Sequence, residues 1–263
     1  MTSTIQLKQL SQSAQAGGYW LISGEVSEPI TPLAAFYSLQ LPSQTEHACS
    51  KSLILSLFGY QFPKLHLLST QPLEPDLMDS VGIQLLGEAT LETALEPNLE
   101  PSLNLPCKTE QACLLLGSDL GIGPLFYRAK QLKNNAQHHL ALLHTSAQFP
   151  FVVKPAHFML NDFPFEAIGG CSLLEDWKIA NRLASDSPLA GCFEGSIIEL
   201  LMPWIEAESQ RQLSAPLDWQ ILSFLPETTY QTLSAIIQPY PWLSLHNLAP
   251  PPTPATIKKP DPL

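Results

Sequence analysis

"LLLGSDLGIGPLFYRAKQL" (residues 114–132) decides the fold of this chain. An apolar run ends at Gly117, and the chain turns through Gly121, Gly123 and Pro124. It then continues as an amphipathic stretch with Leu125, Phe126, Ala129 and Leu132 on one face. This is a strand handing over to a helix, a junction whose chemistry favours an anion. The first turn of a helix carries free backbone N–H groups and the positive end of the helix dipole. Gly117 lets the chain turn tightly off the strand, while Gly121 and Gly123 let backbone approach a pyrophosphate without a Cβ in the way. Pro124 has no N–H to leave unsatisfied in the first helical turn. Against this, Asp119 stands in the middle of the turn. A carboxylate beside a pyrophosphate repels it by about 1 kcal/mol at contact in water, and by several at a protein-like dielectric. An ordinary strand-to-helix turn also favours glycine, so from this stretch alone a nucleotide loop and a plain junction both stand open.

Composition narrows the possibilities. The chain has 263 residues, enough for one large or two medium domains. Charged residues are 14% where about a quarter is usual, so Ser, Thr, Gln, Asn and Pro must cover much of the surface. A net charge of −11 with thinly spread Lys and Arg argues against nucleic acid as a partner. No apolar run of about 18 residues is present, so membrane insertion is not expected. With no secretory leader pattern, a cytoplasmic location is expected. Cys49, Cys107, Cys113, Cys171 and Cys192 are odd in number and form no CxxC pair, which suggests idle thiols instead of disulfides or a metal site.

The first hundred residues are rich in strand patterns: 18–26, 34–42, 52–59, 64–69 and 81–89, spaced as in a small barrel. Residues 91–111, with repeated Leu-Glu-Pro units, predict a connection. From Ala112 strands alternate with helices. Strands are predicted at 112–117 and 139–146, a short helix at 155–160 and a strand within 176–185. A helix at 195–208 follows, with strand, turn and helix over 218–237. That alternation implies a parallel sheet covered on both faces. The expected organisation is a β-barrel over 1–105, an α/β unit over 106–247 and a proline-rich, disordered tail over 248–263.

The glycine turn resembles the nucleotide loop of the ferredoxin–NADP reductase superfamily, and most closely that of the electron-transfer subunit of bacterial dihydroorotate dehydrogenase. Gly117, Gly121, Ile122 and Pro124 fall on that family's positions, and Ser118 and Asp119 replace two of its glycines. "LASDSPLAGCFEGSIIELL" (183–201) is similar to a second motif of the family, matching at Ala184, Asp186, Gly191 and Gly195. "ILSFLPETTYQTLSAI" (221–236) is similar to a third, matching at Pro226 and Glu227. The strand patterns before residue 90 resemble the family's flavin barrel. The resemblance implies an antiparallel flavin-type barrel followed by a parallel-sheet nucleotide domain. It implies an oxidoreductase or electron-transfer function using FAD and NAD(P)H, with a catalytic or redox partner protein. The implied nucleotide contacts are Gly117, Ser118, Gly121, Ile122, Gly123, Pro124, Ser185, Asp186, Gly191, Gly195, Pro226 and Glu227, while catalytic residues are not identified.

The sequence departs from the family at functional positions. Lys64 is the cation nearest the expected flavin motif, and an ammonium does not reproduce a bidentate guanidinium contact. Phe224 and Leu225 stand where the family has Cys-Gly by the nicotinamide. No cysteine follows Cys192, so no iron–sulfur cluster is expected. A degenerate relative, acting as a non-catalytic binding or regulatory subunit, is therefore the alternative, and a nucleotide sensor without turnover is a third. His138, His139 and His144 share no helical face and no carboxylate completes a metal triad with them, so they are read as surface or strand-end histidines. Glu194 and Glu199 flank the helix that follows them, and Ser185 and Asp186 suit an Asx-type turn as well as a ribose contact. Trp219 and Trp242 are read as core or interface.

Overall fold

The structure, a computed structural model, describes residues 3–30, 35–40, 52–78, 83–88, 112–133 and 139–248. Six antiparallel strands come first: β1 (Ser3–Ala14), β2 (Trp20–Val26), β3 (Phe36–Gln40), β4 (Ser52–Gln61), β5 (Lys64–Ser69) and β6 (Ile83–Glu88). They close into a barrel in the order β1-β2-β5-β4-β3-β6, with one helical turn, α1 (Pro75–Met78), after β5. Alternation explains the closure. Ile22 and Val26 of β2 and Leu65 and Leu67 of β5 are buried, while the residues between them turn outward or pack at the wall. β1 is the one barrel strand that the sequence patterns did not announce. Ile5 and Leu7 point inward, but the register against β2 then shifts between Lys8 and Ser11, and Gln9 takes a left-handed φ of 51°. That bulge breaks the period-2 pattern halfway along.

The second half is a six-stranded sheet ordered β12-β11-β8-β7-β13-β14 and parallel throughout. Its strands are β7 (Ala112–Ser118), β8 (His139–Thr145), β11 (Ala180–Ser185), β12 (Phe193–Glu194), β13 (Trp219–Phe224) and β14 (Leu243–Asn247). A two-residue ladder, β9 (Lys154–Pro155) with β10 (Gly169–Gly170), lies apart from it. The helices are α2 (Ile122–Leu132), α3 (Ser172–Asp176), α4 (Ile197–Arg211) and α5 (Glu227–Ile237). Every residue of β7 and β13 is buried, as expected of strands covered on both faces. Cys113 and Leu115 of β7 share a core with α2 and with the barrel. Leu114 and Leu116 share the opposite core with α4 and α5. The fold class read from the sequence, an antiparallel barrel followed by a parallel α/β unit, is the architecture found.

Some local expectations are corrected. Residues 155–160 form no helix. The Glu175 carboxylate accepts the backbone N–H of His157 at 2.7 Å and of Phe158 at 3.4 Å, and Ala156 N–H bonds to the Ile168 carbonyl at 2.8 Å. Donors that a helix would use internally are thus satisfied from elsewhere. Leu248, placed at the head of the expected tail, is buried, and its N–H donates to the Ser223 carbonyl at 2.9 Å. Residues 89–111, which hold the expected junction of the two halves, and residues 249–263 lie outside the described residues, as do His138, Cys49 and Cys107. Trp219 packs edge-on against Trp204 at 4.9 Å, and Trp242 against the same ring at 6.1 Å; Trp219 is buried core, and Trp242 is partly buried against the same apolar cluster.

The barrel and the sheet meet without a layer between them. The first turn of α2 seats on β4, where a Cβ on Gly123 would lie 2.5 Å from Ser56 Oγ and 3.0 Å from the Leu57 carbonyl. Phe58 of β4 meets Phe126 of α2 edge-on at 5.5 Å. On the other flank, a Cβ on Gly17 would lie 2.5 Å from the Phe149 carbonyl, and Gly17 has a φ of 63°. One contiguous apolar cluster runs from Leu7, Leu55, Leu57 and Leu67 of the barrel through Leu125 and Phe126 to Leu143 and Phe224.

Candidate functional site

In an open parallel sheet a ligand binds at the carboxyl ends of the strands, where the strand order reverses. Here β7 comes first in chain order, β8 lies on one side of it and β13 on the other. Ser118 is level with His144, Thr145 with Ser185, and Gly117 with Phe224. The crevice edge therefore collects Ser118, His144, Thr145, Ser185 and Phe224, with Asp119, Ser146 and Asp186 one residue beyond.

Asp119 dominates this edge. It opens a 3-10 turn (Asp119–Gly121) between β7 and α2, with a left-handed φ of 49° at a position where the resembling family has glycine. Its carboxylate reaches across to the end of β8. Asp119 Oδ1 accepts the Ser146 N–H at 2.8 Å and the Ser146 hydroxyl at 3.0 Å, with Thr145 Oγ1 at 3.3 Å. The single Thr145 proton is closer to the Gln148 carbonyl, at 2.8 Å. Tyr19, at the barrel's entry to β2, faces the same edge. Its phenol is pushed up to about 12, first by burial and then by the charge of Asp119, and a hydrogen bond with the Thr145 side chain opposes both.

A second row of bonds crosses the same edge. Ser118 Oγ lies 3.0 Å from His144 Nδ1, and His144 Nε2 lies 3.0 Å from Asp186 Oδ1. A hydroxyl, an imidazole and a carboxylate are thus joined, the residue types of a hydrolytic triad. Ser118, however, is only 5% exposed, and its hydroxyl is also 3.4 Å from Asp119 Oδ2. A hydroxyl so enclosed is not offered to a substrate, and the row acts to tie three strand ends together. His144 is a strand-end histidine, as read from the sequence, but its bridge between Ser118 and Asp186 was not read. Nothing in its neighbours marks it, and only the β7–β8 register sets it between Ser118 and Asp186.

The remaining expected residues take up structural positions. Ile122 and Pro124 are buried in the first turn of α2. A Cβ on Gly121 would fall 2.1 Å from the Phe224 carbonyl, so the missing side chain makes room for β13. Ser185 is buried and accepts the Ser187 N–H at 3.2 Å in a local turn. The Gly191 carbonyl accepts the Gly169 N–H at 2.6 Å, and the Gly195 N–H donates to the Ser185 carbonyl at 3.0 Å. Both glycines have positive φ, 80° and 148°. Pro226 and Glu227 open α5, where Glu227 is exposed and bonded to Gln231 of the same helix. Glu199 forms a reciprocal capping box with Ser196, which holds its carboxyl below the ordinary range.

The residues present do not fit a nucleotide pyrophosphate as placed. The Ser146 donors are committed to Asp119, and the closest approaches of Gly121 and Gly123 are taken by Phe224 and by Ser56 with Leu57. None of the residues named at the crevice edge is Lys or Arg. Lys64 is the cation nearest the expected flavin motif. Lys64 stands on β5 directly opposite Glu25 of β2. It lines an open polar cavity of about 360 Å³ with Gln9, Ser11, Ser23, Glu25 and His66, on the wall made by β1, β2 and β5. Among the described residues no group of three or more His, Cys, Asp or Glu is placed to hold a metal, and no helix is long and apolar enough to cross a membrane.

No protein-family profile matches the chain, and no curated protein does. Solved structures do. The chain is similar to the Amycolatopsis cytochrome P450 reductase GcoB, with a TM-score of 0.55 and 12% identity, over 95% of this chain and 71% of that one. It is similar to a flavohemoglobin from Malassezia yamatoensis with bound FAD and heme, with a TM-score of 0.52 and 10% identity, over 93% of this chain and 59% of that one. It is also similar to the flavohem-like FAD/NAD binding domain of a nitric oxide dioxygenase from Vibrio cholerae. There the TM-score is 0.52 and the identity 10%, over 92% of this chain and 97% of that one. At these identities the likeness establishes the fold, which is ferredoxin-reductase-like.

Proposed function

We propose that the chain is a ferredoxin-reductase-fold component of an electron-transfer system, working as a non-catalytic binding or regulatory subunit beside a redox partner protein. The observation that carries this reading is the carboxylate at the crevice edge: Asp119, within the turn that would receive a pyrophosphate, holds the Ser146 N–H and hydroxyl. Val152, Met159, Phe165 and Ile168, in the segment between β8 and α3, are 68%, 87%, 92% and 62% exposed.

The second reading is the oxidoreductase itself, resembling the dihydroorotate dehydrogenase electron-transfer subunit and using FAD and NAD(P)H. Retention of Gly117, Gly121, Ile122 and Pro124 at the helix entry favours it, as does likeness to structures described as binding FAD or NAD. In that reading Gly117, Ser118, Gly121, Ile122, Gly123 and Pro124 cradle the pyrophosphate. Ser185, Asp186, Gly191 and Gly195 border the nucleotide, and Pro226 and Glu227 sit by the nicotinamide end.

One experiment separates the two. The purified chain is mixed with FAD and freed of unbound flavin by gel filtration, its visible spectrum is recorded, and NADH and NADPH are titrated by calorimetry. The expected result is a colourless protein with no heat from either nucleotide. Flavin absorbance that NADH bleaches would overturn the non-catalytic reading and establish the oxidoreductase.

A further inference from the structure

We infer that the Asp119 carboxylate is a built-in anion occupying the phosphate cradle of the fold, so that nucleoside diphosphates are refused until that carboxylate is removed. The inference rests on the non-catalytic reading above and names the device behind it. A helix receives phosphate at its N-terminus, here the turn Asp119–Gly121 that opens α2, and Ser146 at the end of β8 adds two donors beside it. The Ser146 N–H and hydroxyl point at one oxygen, at 2.8 and 3.0 Å, and the oxygen belongs to Asp119.

Three further features show that this placement is built in. Asp119 holds a φ of 49°, a conformation that a side-chain-bearing residue adopts at a cost, and its hydrogen bonds to the next strand end hold it there. The neighbouring hydroxyl of Ser118 is drawn toward His144, which in turn faces the second carboxylate of the edge, Asp186. The barrel packs along one side of the edge, with Gly17 on the Phe149 carbonyl and the Tyr19 phenol against Thr145, while Ser146 itself is exposed. The carboxylate thus blocks an incoming phosphate twice, by holding its donors and by repelling its charge.

The test uses the full chain and two variants, Asp119→Gly and Asp119→Asn. Glycine suits the left-handed turn, and asparagine keeps the shape and an acceptor for Ser146 while removing the charge. Each protein is titrated by calorimetry with inorganic pyrophosphate and with NADPH, and its fold is checked by circular dichroism and thermal melting. Wild type is expected to bind neither. Asp119→Gly is expected to bind pyrophosphate at least about tenfold more tightly than wild type, with Asp119→Asn in between. Pyrophosphate should also raise the melting temperature of Asp119→Gly alone or most. If either folded variant is as unresponsive as wild type to both probes, the built-in anion is overturned and the proposed function stands. If wild type itself binds NADPH, the proposed function falls as well.

Discussion

Gly121 illustrates how one residue's role changes between sequence and structure. Its position in a strand-to-helix turn was legible, and so was the need for a bare backbone there. What the bare backbone approaches was not legible, because Phe224 lies about a hundred positions further along the chain and meets it only through the β7–β13 register. Asp119 shows the same limit. Its charge could be weighed from the sequence, but its bond to the Ser146 N–H could not, nor could the bridge that His144 makes from Ser118 to Asp186. A prediction follows at this scale. In Gly121→Ala the new Cβ would lie 2.1 Å from the Phe224 carbonyl, so the turn or β13 must shift. The expected loss is about 1–3 kcal/mol, seen as a lower urea midpoint at unchanged slope. An unchanged midpoint would show that the turn can relax without strain.

Among the elements, those with a clear apolar period were read correctly, while β1 and the stretch 155–160 were not. β7, β8, β13, α2 and α4 carry continuous apolar runs or helical stripes, and they stand where their patterns put them. β1 was hidden by its bulge at Gln9. The helix expected at 155–160 is absent because Glu175, from α3, takes two of the backbone donors of that stretch. The start of α4 is the clearest local success. Ser196 accepts the Glu199 N–H at 3.2 Å, and Glu199 accepts the Ser196 N–H at 2.8 Å. Replacing Ser196 with Ala should cost about 1 kcal/mol and lower the melting temperature by roughly 2–4 °C. The Glu199 carboxyl is held below its ordinary value of 4.5, so its contribution is present above that pH and is lost on acidification. The deficit of Ser196→Ala should therefore narrow in acid, a trend that melts at several pH values would reveal.

For the molecule as a whole, the strand-then-alternation order of the sequence foretold two architectures in one chain, while their joint had no sequence signature. The leucines of β4 and the face of α2 each read as ordinary core, and only the structure makes them halves of the same core. Titration adds a prediction at this scale. Burial holds His66 and His246 below the ordinary 6.5, and Lys130 and Lys64 lower His66 further. Just below pH 6.5 the unfolded chain therefore binds more protons at these sites than the folded one. Stability should fall as the pH drops through that range, and the double substitution His66→Gln with His246→Gln should flatten the fall in urea midpoints. A profile unchanged by the substitutions would assign the acid sensitivity to other groups.

The seat of Gly123 on Ser56 and Leu57 has a consequence for inheritance. A barrel recombined onto this sheet from another protein would have to bring a strand with the same backbone notch and the same apolar ridge, or leave Ile122, Leu125 and Phe126 exposed to water. Gene shuffling that respected only the two architectures would produce chains that aggregate. The two halves are therefore expected to descend as a pair, and a homologue that has changed one side of this seat should carry a matching change on the other.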